Sequence, residues 1–272
     1  YPQTLLEYPP KYSSLEVIQV LAAVHESGRG DSFGLGQLEE GLRRRSHSGK
    51  SMVAADTLER HRNTLPNLAE PGGAFLIVGA GPSVRERAED LNAFIERRRP
   101  FVLECNHQPV LAPGERHASL FVNYGRLLEN SEATVATRDK IILGVDAVES
   151  ELASLLNGVD SYHYPFSIAH DTFEVCEGGC TLPDDVVGMY ALAAAIQMGA
   201  DEILLAGFDG YLGQTVGYRG ALRVEYVLAS RGMDSFFRLL RDFDPIREGL
   251  VTVRSLTPTE YDVEVTSIYN YV

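Results

Sequence analysis

Long apolar runs are missing from this sequence. No stretch reaches the roughly eighteen consecutive apolar residues of a membrane-spanning helix, so no transmembrane segment is expected. The opening Tyr1-Pro2-Gln3-Thr4 has no basic region followed by an apolar stretch, so it is not expected to be a secretory signal peptide. Beginning at Tyr1 rather than Met, the sequence reads as cut from a longer chain or as lacking a disordered start. Cysteine is scarce. Cys105, Cys176 and Cys180 are odd in number and too few for a disulfide framework, which points to a reducing cytoplasm. Basic charge is scarce in the second half: residues 139–272 carry 21 acidic and 8 basic side chains, a balance of −13 out of the chain's −14. Such a chain lacks the basic face that duplex nucleic acid demands, so no nucleic-acid partner is expected.

What is present is ordinary for a globular protein: 272 residues, 44% apolar and 23% charged. That length suits one large α/β domain, alone or with a small appendage. The near-neutral first half is the better place for an anion. Arg43, Arg44, Arg45, Arg97, Arg98 and Arg99 lie there, although a solvated helix end is the preferred reading of such clusters.

Residues 1–70 read as a helical appendage. Ser13 or Ser14 caps a first helix through Leu15, Ile18, Leu21 and Ala22, ended by Gly28-Arg29-Gly30-Asp31. A second spans Leu38 to Leu42, and a third runs from Met52 to Arg62. Pro66 and Pro71-Gly72-Gly73 mark a linker into a main domain at 71–272. There the pattern changes. Phe75-Leu76-Ile77-Val78 is a short continuous apolar run, as in a buried parallel strand. Further strands are expected at 101–103, 119–122, 140–144, 202–207 and 251–253, with helices at 84–98, 148–156, 184–198 and 234–242. Alternating strands and helices imply a doubly wound, mostly parallel, Rossmann-like sheet, which binds ligands beyond the carboxyl ends of its strands. No internal repeat or low-complexity tract interrupts it.

The most informative segment is Gly79-Ala80-Gly81-Pro82-Ser83, between a strand and a helix. Its glycines allow a sharp turn and close ligand approach, Pro82 pre-sets the first helical φ, and Ser83 can cap the helix. Free N–H groups there suit a phosphate; the other reading is a plain tight connection. The segment is neither a full dinucleotide fingerprint nor a P-loop. Ser48-Gly49-Lys50-Ser51 holds a Gly-Lys-Ser triplet, but Arg44 stands where a P-loop needs its first glycine. Glu104-Cys105-Asn106-His107-Gln108 follows the next strand. Asn106 offers a donor and an acceptor for a base or ribose, and His107 is a general acid or base or else a hydrogen-bonded surface histidine. Asn123-Tyr124 and Gly207-Phe208-Asp209-Gly210-Tyr211 follow two further strands. Asp209 suits a sugar hydroxyl, a metal, or simply an Asx turn. Cys176 and Cys180, with His163 and His170, have Cys-x3-Cys spacing and no second cysteine pair. They read better as a mobile loop around Gly178-Gly179 than as a zinc site.

Together, Ile77 to Ser83, Glu104 to His107, and the stretch from Cys180 through Met189-Tyr190 to Tyr211 resemble the bacterial lipooligosaccharide sialyltransferases. Those enzymes have a Gly-x-Gly-Pro-Ser turn, a later Cys-Asn and a Gly-x-Asp-x-Tyr turn. The same opening is similar to that of flagellin-glycosylation accessory factors and archaeal hydroxymethylpterin pyrophosphokinases. The resemblance covers roughly residues 74–215. It implies a metal-independent, glycosyltransferase-like Rossmann fold with no required cofactor, a CMP-activated acidic sugar as donor, and a glycan acceptor. Gly79, Ala80, Gly81, Pro82, Ser83, Asn106 and Asn123 would fall on nucleotide-binding positions. The family's histidine base after the Gly-x-Asp-x-Tyr turn has no counterpart, since His170 is the last histidine. Either His107, Asp209 or Tyr211 takes its place, or the domain binds without transferring. Leu256 to Tyr261 and the helical front also resemble proteins of surface-polysaccharide gene clusters, in which an aldolase-like barrel precedes such a domain. The readings left open are therefore a glycosyltransferase, a non-catalytic nucleotide- or sugar-binding module of an aldolase fusion, and a Mg-ATP pyrophosphokinase-like enzyme. The oligomeric state stays open, a homo-oligomer included.

Overall fold

The computed structural model describes residues 52–54, 65, 73–112, 114–137, 140–145, 147–210 and 224–271. The first two expected helices, Arg43 to Arg45, the Gly-Lys-Ser triplet, the expected boundary at 70 and 71, and Tyr211 lie outside the described residues. The chain divides into two compact units, residues 1–51 with 211–230 and residues 52–210 with 231–272.

The second unit is built on an eight-stranded sheet in which every pairing is parallel. Its strands are β2 (Ala74–Val78), β3 (Phe101–Cys105), β4 (His117–Phe121), β5 (Lys140–Leu143), β7 (Asp160–His163), β11 (Glu202–Ala206), β12 (Thr252–Ser255) and β13 (Glu264–Val265). Across the sheet the order is β13-β12-β11-β2-β3-β4-β5-β7. From β2 the chain steps outward one way, then returns to β2's other side at β11. The reversal of strand order between β2 and β11 is a topological switch point, where loops diverge and leave a crevice at the carboxyl edge.

Both faces are covered, which is why β2 and all of β11 after Glu202 are continuous apolar runs. Phe75 and Ile77 of β2, Leu103 of β3 and Leu120 of β4 share one core with the helix α5 (Val187–Gln197) and with Met233, Phe236, Phe237 and Leu240 of α6 (Val224–Asp242). Residues 188–195 of α5 are all buried, and four of those eight positions are alanine. On the other face, Leu76, Val78 and Val102 meet the short helix α1 (Pro82–Glu86), α2 (Ala88–Arg98) and a C-terminal 3-10 turn (Ile268–Tyr271). Further along that face, Ile141 and Leu143 pack on α3 (Tyr124–Thr137) and α4 (Ser150–Leu156). Among the described residues no helix is long and apolar enough to cross a membrane.

Several local readings change. Met52–Ala54 is strand β1, not the start of a helix. It pairs antiparallel with β6 (Ala147–Glu149), so residues 147–149 are strand as well and the helix read from 148 begins only at Ser150. Val53, β-branched, lies opposite Val148 and packs on the core beneath. The stretch read as a mobile loop is instead a small sheet of β8 (Phe166–Ile168), β10 (Gly179–Leu182) and β9 (Glu174–Cys176). A Cβ on Gly179 would lie 2.5 Å from the Pro165 carbonyl oxygen, so that glycine serves close packing. The last short helix is α7 (Asp244–Arg247).

Candidate functional site

Two glycine turns meet at the switch point. After β2, Gly79 donates its N–H to Ala206 O at 2.8 Å, and Gly81 donates to Gly207 O at 3.0 Å. The carboxylate of Asp209 closes the junction. It accepts the Ser83 N–H at 2.8 Å on one oxygen and a short bond from the Ser83 hydroxyl on the other. Ser83 and Asp209 are only 5% and 4% exposed, so this junction is inside the protein. The glycines follow from the contact. A Cβ on Gly79 or Gly81 would sit 2.6 Å from Gly207 O, and Gly207 itself has φ +74° with Val84 Cγ2 only 2.4 Å from its would-be Cβ. The loop after β12 backs the second turn: Thr257 Oγ1 accepts the Gly207 N–H at 3.0 Å, and the Glu260 N–H reaches Asp209 O at 3.2 Å.

This arrangement revises two expectations about Ser83 and Asp209. Gly81 takes the N-cap position of α1, with Pro82 first in the helix, and Ser83 lies inside it rather than capping it. The Ser83 N–H belongs to Asp209 and does not face a ligand. Burial raises the Asp209 carboxyl above its ordinary value; the bonds from Ser83 oppose that shift and nearby Glu86 adds to it. Ala80 stands exposed between the two glycines.

The next strand contributes a second group. β3 ends in Glu104-Cys105, and Asn106 follows with φ +61°, a left-handed conformation that asparagine tolerates better than most residues. Its N–H bonds to Leu120 O at 2.9 Å, which fixes the turn against β4. His107 follows, 7% exposed, with Nδ1 3.7 Å from Glu104 Oε2. The carboxylate of Glu104 is fully buried, and His117 Nδ1 lies 3.9 Å from its other oxygen. Burial, then the neighbouring Glu104 charge, pushes the Cys105 thiol up to about 12.

At the end of β4, Asn123 Oδ1 accepts the Arg126 N–H at 3.3 Å and its backbone oxygen accepts that of Leu127 at 3.0 Å, so Asn123 caps α3. The turns after β11, β2, β3 and β4 thus share one edge, spanning on the order of 14 Å at the usual strand spacing. Arg97 to Arg99 do not join them. They end α2 at the opposite, amino edge, where Arg98 pairs with Glu202 at 3.6 Å and lies over the Tyr271 ring at 5.5 Å. Here the solvated helix-end reading stands. Among the described residues, Arg85 of α1 and Arg126 of α3 lie toward the carboxyl edge, the latter 3.0 Å from Glu129. Sequence reading passed them over because neither belongs to a cluster. Glu104 and His117 were also missed as site residues, since a carboxylate inside a buried strand has no spacing signature.

Among the described residues no group of three or more His, Cys, Asp and Glu side chains is placed to hold a metal ion. Cys176 Sγ donates to Gly179 O at 3.0 Å, and Cys180 is buried with its thiol pushed up to about 12 by desolvation and then by the Cys176 thiol.

No protein-family model and no curated protein matches this chain. Among solved structures it is similar to the sialyltransferase CstII from Campylobacter jejuni in complex with a substrate analogue, cytidine-5′-monophosphate. The match covers 74% of this chain and 87% of that one at 13% identity, with a TM-score of 0.42.

Proposed function

We propose that the carboxyl-edge crevice takes a nucleotide-activated sugar, a CMP-linked acidic sugar, and that the chain is a glycosyltransferase-like enzyme of cell-surface polysaccharide synthesis. The observation that carries this reading is the junction at the switch point: two interlocked glycine turns, with Asn106 and His107 in the turn after the neighbouring strand β3. An acceptor hydroxyl would attack the anomeric carbon of the sugar. The bond from that carbon to the phosphate oxygen breaks, CMP departs with the bonding pair, and the hydroxyl proton passes to a base. His107 is the candidate base, because both Asp209 oxygens are engaged by Ser83. Asn106 would read the nucleotide, while Arg85 and Arg126 would face phosphate and sugar carboxylate.

The same Asp209 bonds count against the magnesium-dependent kinase reading, which needs that carboxylate to leave Ser83. A non-catalytic module serving an aldolase-like domain remains the second reading, favoured by the lack of any histidine after His170. Calorimetric titration with CMP, CDP, UDP, GDP and ATP, with and without magnesium, tests all three. Metal-independent CMP binding supports the transferase reading. ATP binding only with magnesium replaces it with the kinase, and CMP binding without turnover of any CMP-sugar replaces it with the module.

A further inference from the structure

A carboxylate within a buried parallel strand is expensive to desolvate and persists only with partners. Glu104 has them on several elements. One oxygen, Oε2, accepts the Gln108 N–H and the Ser119 hydroxyl, each at 3.3 Å, and faces His107 Nδ1 at 3.7 Å. The other, Oε1, faces His117 Nδ1 at 3.9 Å. Gln108 in turn anchors the loop by donating its side-chain amide to Cys105 O at 2.9 Å. The carboxylate is thus fixed by β3, β4 and the loop, while His107 lies over it at the carboxyl edge.

His107 Nδ1 is buried without a hydrogen bond, facing Glu104 from a distance about 0.5 Å too long for one. Pairs of this kind are often long in an unliganded site and tighten when substrate closes on it. An imidazole whose Nδ1 proton is drawn to a carboxylate must present Nε2 as the acceptor.

We infer that Glu104 is a positioning residue that holds neutral His107 with its proton on Nδ1, so that Nε2 faces the crevice ready to accept a proton. This inference rests on the transferase reading for its purpose, since the proton Nε2 accepts is that of the attacking acceptor hydroxyl as CMP leaves. His117 Nδ1 lies on the far side of the carboxylate, 3.9 Å from Oε1.

The test is nitrogen-15 NMR of the imidazole rings in the full chain at a pH where His107 is neutral. Seven histidines are to be distinguished, and the His107→Asn variant assigns the ring of interest. The expected result is the Nδ1–H form in the wild type, shifting toward Nε2–H in Glu104→Gln. In a CMP-sugar transfer assay the same variant should lose about 100-fold in kcat with KM little changed, the size of a misplaced base. An Nε2–H ring in the wild type overturns the inference, and so does a ring pattern that Glu104→Gln leaves unchanged. The wild-type spectrum needs no variant, so an unfolded Glu104→Gln protein still leaves a decisive result. The ring readout also needs no ligand, so failure to bind CMP removes the transferase reading while the spectrum alone decides on Glu104.

Discussion

Ser83 gives both its N–H and its hydroxyl to Asp209, a residue 126 positions away. The bond pair joins the turn that leaves β2 to the turn that leaves β11, and so locks the switch point from within. Its consequence is that one polar contact sets both the local stability of the carboxyl edge and the position of the Gly79–Gly81 backbone, which any nucleotide there would approach.

Removing the carboxylate leaves Ser83 with two buried donors and nothing to receive them. Asp209→Ala should therefore destabilise the chain by about 1–3 kcal/mol for each group left unpaired. Ser83→Ala should destabilise it less, because the Ser83 N–H still reaches Asp209. Urea midpoints of the two single variants and the double variant test the coupling. A double variant equal to the sum of the singles would mean that the pair does not act as a unit.

Asp209→Asn removes the charge and keeps one acceptor oxygen for the Ser83 N–H, while its new amide donor is met by the Ser83 hydroxyl turning to accept. Burial raises the folded Asp209 carboxyl above its ordinary 3.8, so between the two values the folded chain holds more protons than the unfolded one. Stability from this group is then greatest at acid pH, falls as pH rises through that window, and levels off above the folded value. The nearly isosteric Asn lacks this slope. The variant should gain on the wild type as pH rises from about 4 toward neutrality in paired urea titrations. A wild type that gains on the variant instead would show that the Ser83 bonds outweigh burial.

The interlock also makes the glycines unequal. Gly207→Ala adds about 1 kcal/mol for the left-handed φ and about 1–3 kcal/mol for overpacking against Val84. Trimming Val84 to Ala in the same chain should rescue only part of this, since the would-be Cβ also lies 2.8 Å from Gly79 O, which is backbone. Gly178→Ala meets nothing within 4 Å and serves as the control. Thermal melts should show a large loss, a partial recovery and no change, in that order.

Legibility in the sequence follows the same physics. β2, α5 and β11 were readable because each is apolar on every side, and the structure moves their ends by three residues at most. Helix α3 went unread because two of its three buried positions are polar. Leu127, Ser131 and Thr134 have helical spacing, but a hydrophobic pattern sees only the leucine. The pairing of β1 with β6 joins segments about 95 residues apart in sequence, and neither three-residue strand has a periodicity of its own. At the site, the motif glycines were visible but their reason was not. A turn built to admit a ligand and a turn built to admit another turn use the same residues.

Cysteine chemistry offers a check on the packing that is independent of any ligand. Cys176 is exposed, whereas Cys105 and Cys180 are buried with thiols pushed up to about 12. The thiolate is the reacting form, so at about pH 8 a disulfide-exchange reagent should label one thiol quickly and two only after unfolding. Rapid labelling of all three would contradict the burial of the β3 end and of the β9–β10 hairpin.

Asn106 separates conformation from recognition. Its φ of +61° costs an ordinary L residue about 1–2 kcal/mol, less for Asn and nothing steric for Gly. If the side chain serves only the turn, Asn106→Gly should keep stability and any ligand affinity, while Asn106→Ala should lose stability. If the side chain reads a nucleotide, both variants lose binding, and only Ala also loses stability. One lost hydrogen bond of about 1 kcal/mol corresponds to about a fivefold rise in Kd for CMP. Calorimetry and melting of the two variants side by side therefore give four numbers. The proposed site requires that binding falls in both while the melting temperature falls only in Asn106→Ala. Unchanged CMP affinity in the Gly variant would return Asn106 to the role of a turn residue and leave the crevice without its proposed reader.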